Sequence, residues 1–458
     1  MSSMKYRCET KIKSDVHTAF QWHEREGALQ RLTPPWEKIE LVEKNEGIDV
    51  GATCTINVGT GFFSIPWQAE HIEYYKDKHF KDRQNSGPFS MWEHSHDFEE
   101  ENGVTTIKDS VEYKLPLHSI SKHIAGSVIK NKLDRMFSYR KSVSKNDIET
   151  IKKYDIESKT IVVSGATGVV GSALIPYLQT QGHNTIRLVR NERQLCIGDV
   201  CWNPNAEIIE DQFEGADVVI HLAGEPIGNE NWTNEKKLSI VDSRVRSTSL
   251  LAKTISSMEK PPKLLICASA IGYYGDRDDQ VLTEEDETGN DFISHVCYQW
   301  EKAAKAAEIR GVRVVYLRIG VALTPSGGAL EKTYKPTALG LGTVIGSGKQ
   351  YLSWVSMDDV LYAITHIMET ENISGPVNLT APNPVCWKEY ADTLASVMNR
   401  WRFLRVPSWL IKMVYGQMGQ EVLLSSANVQ PKKLLENGFE FKYPTLDSAL
   451  RHLLGRSK

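Results

Sequence analysis

Apolar positions along the chain follow two different periods, and the change from one to the other divides it. Over roughly the first 145 residues they alternate. Lys5–Ile12, Lys38–Val42, Thr53–Val58, Ser64–Tyr74, Met91–Phe98 and Thr105–Leu115 therefore read as strands. Ser14 is the expected N-cap of a short helix with Val16, Ala19 and Phe20 on one face. Ile120, Ile124, Val128, Leu133 and Phe137 recur near helical spacing and predict a long helix from about Ile120 to Val143. The charged, weakly apolar stretch 146–159 reads as helix end plus linker. From Thr160 to about Gly375, β-branched runs alternate with helical ones, which predicts an α/β domain around a parallel sheet. Residues 376–458, punctuated by Pro382, Pro384, Pro407 and Pro431, read as a mainly helical lobe. The predicted domains are 1–145, 160–375 and 376–458.

Composition narrows the partners. A chain of 458 residues exceeds one compact core. With 41% hydrophobic and 24% charged residues it is an ordinary globular mixture. A net charge of -4 gives no reason to expect nucleic acid or an anionic membrane, and no apolar run approaches the ~20 residues that span a bilayer. Met1–Cys8 holds no apolar signal region, so a cytoplasmic protein is expected. Seven scattered cysteines, of which only Cys196 and Cys201 are close, read as reduced thiols. No metal site is expected. A homodimer is left open.

The chemistry begins at Thr160-Ile161-Val162-Val163-Ser164, a run suited to a strand buried on both faces. Gly165-Ala166-Thr167-Gly168-Val169-Val170-Gly171 follows, then a helix with Leu174 and Leu178 inward that ends at Gly182. Glycines there permit an unusual φ, close approach of backbone to a pyrophosphate, and tight helix–strand packing, while free N–H groups at the helix start bind the anion. Strand, loop and helix in that order are the context a dinucleotide fingerprint requires. A second strand, Asn184–Val189, ends at Arg190, where NAD-binding domains place an acid for the ribose hydroxyl. Arginine can pair with a 2′-phosphate, with Arg193 assisting, so NADP(H) is the expected cofactor.

Two resemblances extend this reading. The N-terminal order of strands and helices, with Phe89-Ser90-Met91-Trp92-Glu93-His94, Asp109–Pro116 and Phe137-Ser138-Tyr139-Arg140, resembles the α+β helix-grip fold of the START-like (SRPBCC) superfamily. That resemblance implies an apolar cavity and a hydrophobic ligand; Trp67, Trp92, Tyr113 and Phe137 either line it or fill the core. His94 and His96 share one strand face, expected toward solvent, with no ligand role. Downstream, the glycine loop is followed by Leu222-Ala223-Gly224-Glu225-Pro226-Ile227, Ser269–Asp276, Leu317-Arg318-Ile319-Gly320-Val321, Gly346–Gln350, Trp354–Asp359 and Val429–Leu434. Together these resemble an extended short-chain dehydrogenase/reductase, more narrowly its epimerase/dehydratase-like oxidoreductases. A Rossmann-like, doubly wound parallel sheet is implied. The resemblance also implies that Leu222, Ala223, Gly224 and Glu225 close over the ribose and nicotinamide, that Trp202 sits near the adenine, and that Leu317–Val321, with Arg318 and Gly320, lines the nicotinamide side. It puts the helix of Arg244 beside the cofactor, where Arg244 either binds it or makes a surface salt bridge. The C-terminal lobe, with Gly340-Leu341-Gly342, would form a lid over a small-molecule substrate.

The catalytic pattern of that superfamily is broken. Its Tyr-x-x-x-Lys pair needs a phenol and a lysine on one helix face. Here the helix reads His295-Val296-Cys297-Tyr298-Gln299-Trp300-Glu301-Lys302. Either Tyr298 and Lys302 form the pair with the helix turned by ~100°, or Cys297 and Glu301 occupy the site, which is the favoured reading. Ser269 is the candidate hydroxyl, although ungapped counting places Ala270 there; Tyr273 and Tyr274 either reach the pocket or pack beneath it. Asp276-Arg277-Asp278-Asp279 and Thr283-Glu284-Glu285-Asp286 read as solvated turns. The leading expectation is an NADP(H)-dependent oxidoreductase for a small, apolar molecule. The alternative is a catalytically silent NADP(H)-binding sensor.

Overall fold

Alternation of inward and outward side chains folds the N-terminal strands into a single antiparallel sheet. The computed structural model describes residues 3–45, 47–59, 64–115, 122–190, 198–209, 213–228 and 230–456. It divides into two units: Met1–Ser158 with Pro176–His183 and Leu454–Lys458, and Lys159–Ile175 with Asn184–Leu453. In the first unit, β1 (Met4–Ile12), β2 (Ile39–Lys44), β3 (Thr53–Val58), β4 (Ile65–Tyr75), β5 (His79–Ser86), β6 (Met91–Glu101) and β7 (Val104–Lys114) lie in the order β1-β7-β6-β5-β4-β3-β2. Between β1 and β2 run α1 (Val16–Glu24) and α2 (Ala28–Leu32); α3 (Lys122–Tyr154) follows β7.

Four expectations change here. Strand β5 was not expected, because His-Phe-Lys-Asp-Arg-Gln-Asn-Ser carries one apolar residue, Phe80, and puts Asp82 on the same parity. The N-cap of α1 is Asp15, whose Oδ1 accepts from Thr18 N at 2.8 Å, and not Ser14, which is buried. The expected linker 146–159 is helix as far as Tyr154: Ile148 and Ile151 continue the buried stripe of Tyr139 and Val143, while Lys145, Lys152 and Lys153 face out. In that stripe Asp147 takes a bidentate pair from Arg31 Nε and Nη2, at 2.9 and 2.8 Å. His94 and His96 point inward, on the parity of Trp92 and Phe98, and both are buried. Trp92, Tyr113 and Phe137 share one buried cluster with Val111 and Leu133, against which Trp67 packs.

The second unit is built from β8 (Thr160–Ser164), α4 (Gly171–Thr180), β9 (Asn184–Val189), β10 (Val200–Asn203), β11 (Ile208–Ile209), β12 (Val218–His221), α5 (Asn234–Ser257), β13 (Leu264–Ala270), β14 (Val281–Leu282), α6 (Phe292–Ala304) and β15 (Arg313–Ile319). Its eight-stranded sheet runs β11-β10-β9-β8-β12-β13-β15 and closes on the strand Gly375–Leu379. Every pair is parallel except β10 with β11. The chain winds outward one way from β8 and the other way from β12, so the topological switch point lies between their C-terminal ends.

Since Gly375–Leu379 completes this sheet, a boundary at residue 375 would cut a core strand. The segment beyond it is not uniformly helical either. Asn428–Val429 pairs with β14, and Leu404–Val406 pairs with Thr343–Ile345. No helix among the described residues is long and apolar enough to cross a membrane.

Candidate functional site

At the switch point the backbone is too crowded for side chains. Gly165 has φ +71°, and a Cβ there would lie 2.7 Å from the carbonyl carbon of Leu222. A Cβ on Gly171 would lie 2.2 Å from Gly165 O. The loop between them closes on Gly168 N, which donates to Gly165 O at 3.0 Å. Thr167, Gly168 and Val169 are exposed and Val170 is half-buried. Among the described residues, the N–H groups of Thr167, Val169 and Val170 donate to no backbone acceptor. Free amides at the start of α4, approached by bare backbone, fit a dinucleotide pyrophosphate. Register pairs Ser164 with Leu188, so exposed Arg190 stands past the end of β9, level with the loop. Arg193 lies outside the described residues.

Beneath the loop is a residue that sequence reasoning missed. His221 ends β12, fully buried, with Nδ1 2.6 Å from Ser164 Oγ and Nε2 2.9 Å from Thr248 Oγ1. Burial pulls its pKa down to about 3, so the ring is neutral and ties β8, β12 and α5 together. Trp202 is 1% exposed and packs within the core cluster, so it leaves no face for an adenine.

Leu222 to Glu225 cross the cofactor side of the switch point. Leu222 N donates to Ser164 O at 3.2 Å and Glu225 N to Ser243 Oγ at 3.0 Å. Arg244 fixes this segment: Nη2 donates to Glu225 O at 3.0 Å, and a Cβ on Gly224 would meet Arg244 Cζ at 3.2 Å. The Arg244 guanidinium also lies 4.9 Å over the Trp300 ring. Ala223 continues the strand-end loop against Gly165. Gly320 is needed for close approach, since a Cβ there would meet Ser353 O at 2.6 Å.

Helix α6 presents Cys297 and Glu301 inward and Tyr298 outward; Cys297 is 3% exposed and Tyr298 48%. The four-residue step therefore ends on a carboxylate where the superfamily has an ammonium. Arg318, from β15, neutralises it. Its Nε and Nη2 donate to Glu301 Oε1 and Oε2 at 2.8 and 2.9 Å, and Ser269 Oγ donates to Oε1 at 2.7 Å. Arg318 Nη1 donates to the Tyr274 hydroxyl at 2.9 Å, which donates in turn to Asn378 Oδ1 at 2.7 Å. The Arg318 carbon lies 3.5 Å from the Tyr273 ring centroid.

Buried bidentate pairing keeps this arginine charged. Burial pushes Tyr274 up to about 12 and also raises Tyr273, against which Arg318 pulls down. Cys297 rises to about 12 through burial and the nearby Glu301 carboxylate, so it is a thiol and not a nucleophile. Ser269, Tyr273, Tyr274 and Cys297 thus gather around one Glu301–Arg318 pair, with the half-exposed Tyr298 near enough to raise the pKa of Tyr273. Glu301 stands where the sequence placed it, with Cys297 on one helix face; Asn378 is a functional candidate that no sequence motif announced. Glu284, expected in a solvated turn, is buried, and its Oε1 accepts from Asn378 N at 3.0 Å.

Residues 161–379 match the NAD dependent epimerase/dehydratase family, and residues 406–453 match a domain of unknown function, DUF1731. An epimerase family protein of Mycobacterium bovis, Mb2239, is 35% identical over 301 residues, 65% of this chain and 98% of that protein. The nucleoside-diphosphate sugar epimerase from Corynebacterium glutamicum superposes with a TM-score of 0.82 at 30% identity, covering 98% of this chain and 90% of that one. The human epimerase family protein SDR39U1, in a structure with NADPH, superposes with a TM-score of 0.59 at 29% identity over 64% of this chain and 98% of that one.

Proposed function

The chain belongs to the NAD dependent epimerase/dehydratase family, and from that premise we propose that it is an NADP(H)-dependent oxidoreductase for a small, apolar carbonyl compound. The observation that carries the proposal is the Tyr273 ring stacked on a guanidinium that Glu301 holds in place, on the C-terminal side of the strands that cradle the dinucleotide loop. When bound, the nicotinamide supplies or accepts hydride at a substrate carbon. The Tyr273 hydroxyl gives the proton to the carbonyl oxygen, and Arg318 stabilises the phenolate that remains. In this arrangement Arg318 does electrostatically what the missing lysine would do. Arg190 selects the 2′-phosphate; the NADPH found with the human relative is in keeping with that choice.

The sheet order and long helix of the first unit support a START-like reading, in which this unit holds or delivers the apolar substrate in a cytoplasmic protein. Native mass spectrometry of the full chain against apolar ligands tests it, and the absence of any bound species would refute it.

Calorimetric titration with NADPH and NADH, followed by NADPH oxidation over a panel of apolar ketones and enones, tests the main proposal. Arg190→Asp is expected to weaken NADPH at least tenfold and spare NADH. Tyr273→Phe is expected to abolish turnover and spare NADPH binding. Tight binding without turnover of any substrate would favour the sensor reading, which the replaced Tyr-x-x-x-Lys pair supports.

A further inference from the structure

The inner face of the first unit's sheet carries polar chemistry that the proposed reaction does not use. Cross-strand register sets His71 of β4 beside Asp82 of β5, and Asp82 beside His94 of β6. One pleat along, His96 stands beside Asp109 of β7. One donor atom from each of Asp82, His94 and His96 lies within 4.8 Å of the other two. His94 and His96 are buried, and their ring centroids are 3.9 Å apart.

Hydrogen bonding does not complete this cluster. His94 Nε2 lies 3.3 Å from Asp109 Oδ1, and its Nδ1 lies 3.7 Å from Asp82 Oδ2, too far for a hydrogen bond. His96 Nδ1 is 2.8 Å from Asp109 Oδ1, and His71 Nδ1 is buried without a hydrogen bond. Two carboxylates, Asp82 and Asp109, face the buried guanidinium of Arg140, whose Nε already donates to Leu32 O at 3.1 Å. One guanidinium against two buried carboxylates leaves negative charge that a bound cation would offset.

We propose that Asp82, His94 and His96 bind one divalent first-row transition-metal ion. Two imidazoles and one carboxylate form a mixed nitrogen and oxygen set that suits Zn2+, Co2+ or Fe2+ and not the all-oxygen shells of Mg2+ or Ca2+. Asp109 is then the outer carboxylate that fixes the His94 tautomer, the usual partner of a metal-bound imidazole. A cavity of about 20 Å³ beside His96, walled also by Thr10, His23, Asp109 and Arg140, has room for about one water. The site lies wholly within the first unit and is independent of the oxidoreductase reading.

The test uses the full-length protein, stripped with a chelator and titrated with Co2+ while visible d–d absorption is followed, then challenged with Zn2+. One equivalent taken up and displaced by Zn2+ is expected. Asp82→Asn and His94→Gln should each weaken uptake at least about a hundredfold, and Asp109→Asn about ten- to a hundredfold. His79→Gln, outside the cluster, should leave uptake unchanged. Circular dichroism of each metal-free variant verifies that it is folded. X-ray absorption of the zinc-loaded wild type requires no variant and should report imidazole ligands with a carboxylate. No uptake by the stripped wild type, undiminished uptake in folded Asp82→Asn, or an all-oxygen zinc shell would each overturn the proposal.

Discussion

Glu301 would be untenable in its buried position without Arg318, and the pair shows how one side chain can change the chemistry of a site. Removing one partner leaves a buried charge uncompensated, so Glu301→Gln or Arg318→Met should each cost about 3–5 kcal/mol in urea unfolding. Replacing both together, Glu301→Leu with Arg318→Met, should recover most of that loss, because no charge is then stranded. His221 makes a pH prediction. Its pKa is about 3 when folded, against an ordinary 6.5 in the unfolded chain, so below pH 6.5 the unfolded state binds a proton that the folded state does not. Its contribution to stability is complete above pH 6.5 and is lost as pH falls toward 3, with a slope reaching about 1.4 kcal/mol per pH unit. Urea unfolding of wild type and His221→Gln at neutral and mildly acidic pH checks this; the variant should lose that part of the slope.

Among the elements, packing constrains the dinucleotide loop and the C-terminal half of α3. Gly165→Ala meets both a left-handed φ and a backbone contact at 2.7 Å, and Gly171→Ala a contact at 2.2 Å. Each should lower NADPH affinity at least tenfold by displacing the loop. Gly168→Ala meets Gly165 O at 3.2 Å and should be milder, and calorimetric titration ranks the three. Within α3, Ile148→Ala should cost about 2–5 kcal/mol because Ile148 is fully buried. Exposed Lys152→Ala should stay within about 0.5 kcal/mol. Equal effects at the two positions would contradict the helical extension of the stripe.

For the whole molecule, the consequence of two units is that a ligand of one acts on that one first. NADPH at a hundred times its dissociation constant adds about 2.7 kcal/mol to the state that binds it. Hydrogen exchange should therefore slow around Thr160–Ile175 and Val218–Glu225 on NADPH addition. The same exchange rates with and without NADPH would contradict the assignment of the loop as the dinucleotide site.

The parallel sheet, the glycine loop and Arg190 were legible in the sequence because they depend on neighbours a few residues apart: strand, turn, helix and strand end. Helix parity likewise put Cys297 and Glu301 on one face. The loss of the superfamily's lysine was therefore visible, but its replacement was not. Arg318 comes from β15, and Ser269 and Tyr274 from the end of β13 and the turn after it. Only the sheet brings them to Glu301, at hydrogen-bonding distances that no local pattern specifies. The same reason explains the polar interior of the first unit. Alternation along β6 sets His94 and His96 on the face of Trp92 and Phe98, but the partners they meet there, Asp82 and Asp109, come from the flanking strands. Local sequence set the elements and the cofactor loop; tertiary pairing decided which buried charges meet, because a buried charge is stable only beside partners that the fold delivers from elsewhere in the chain.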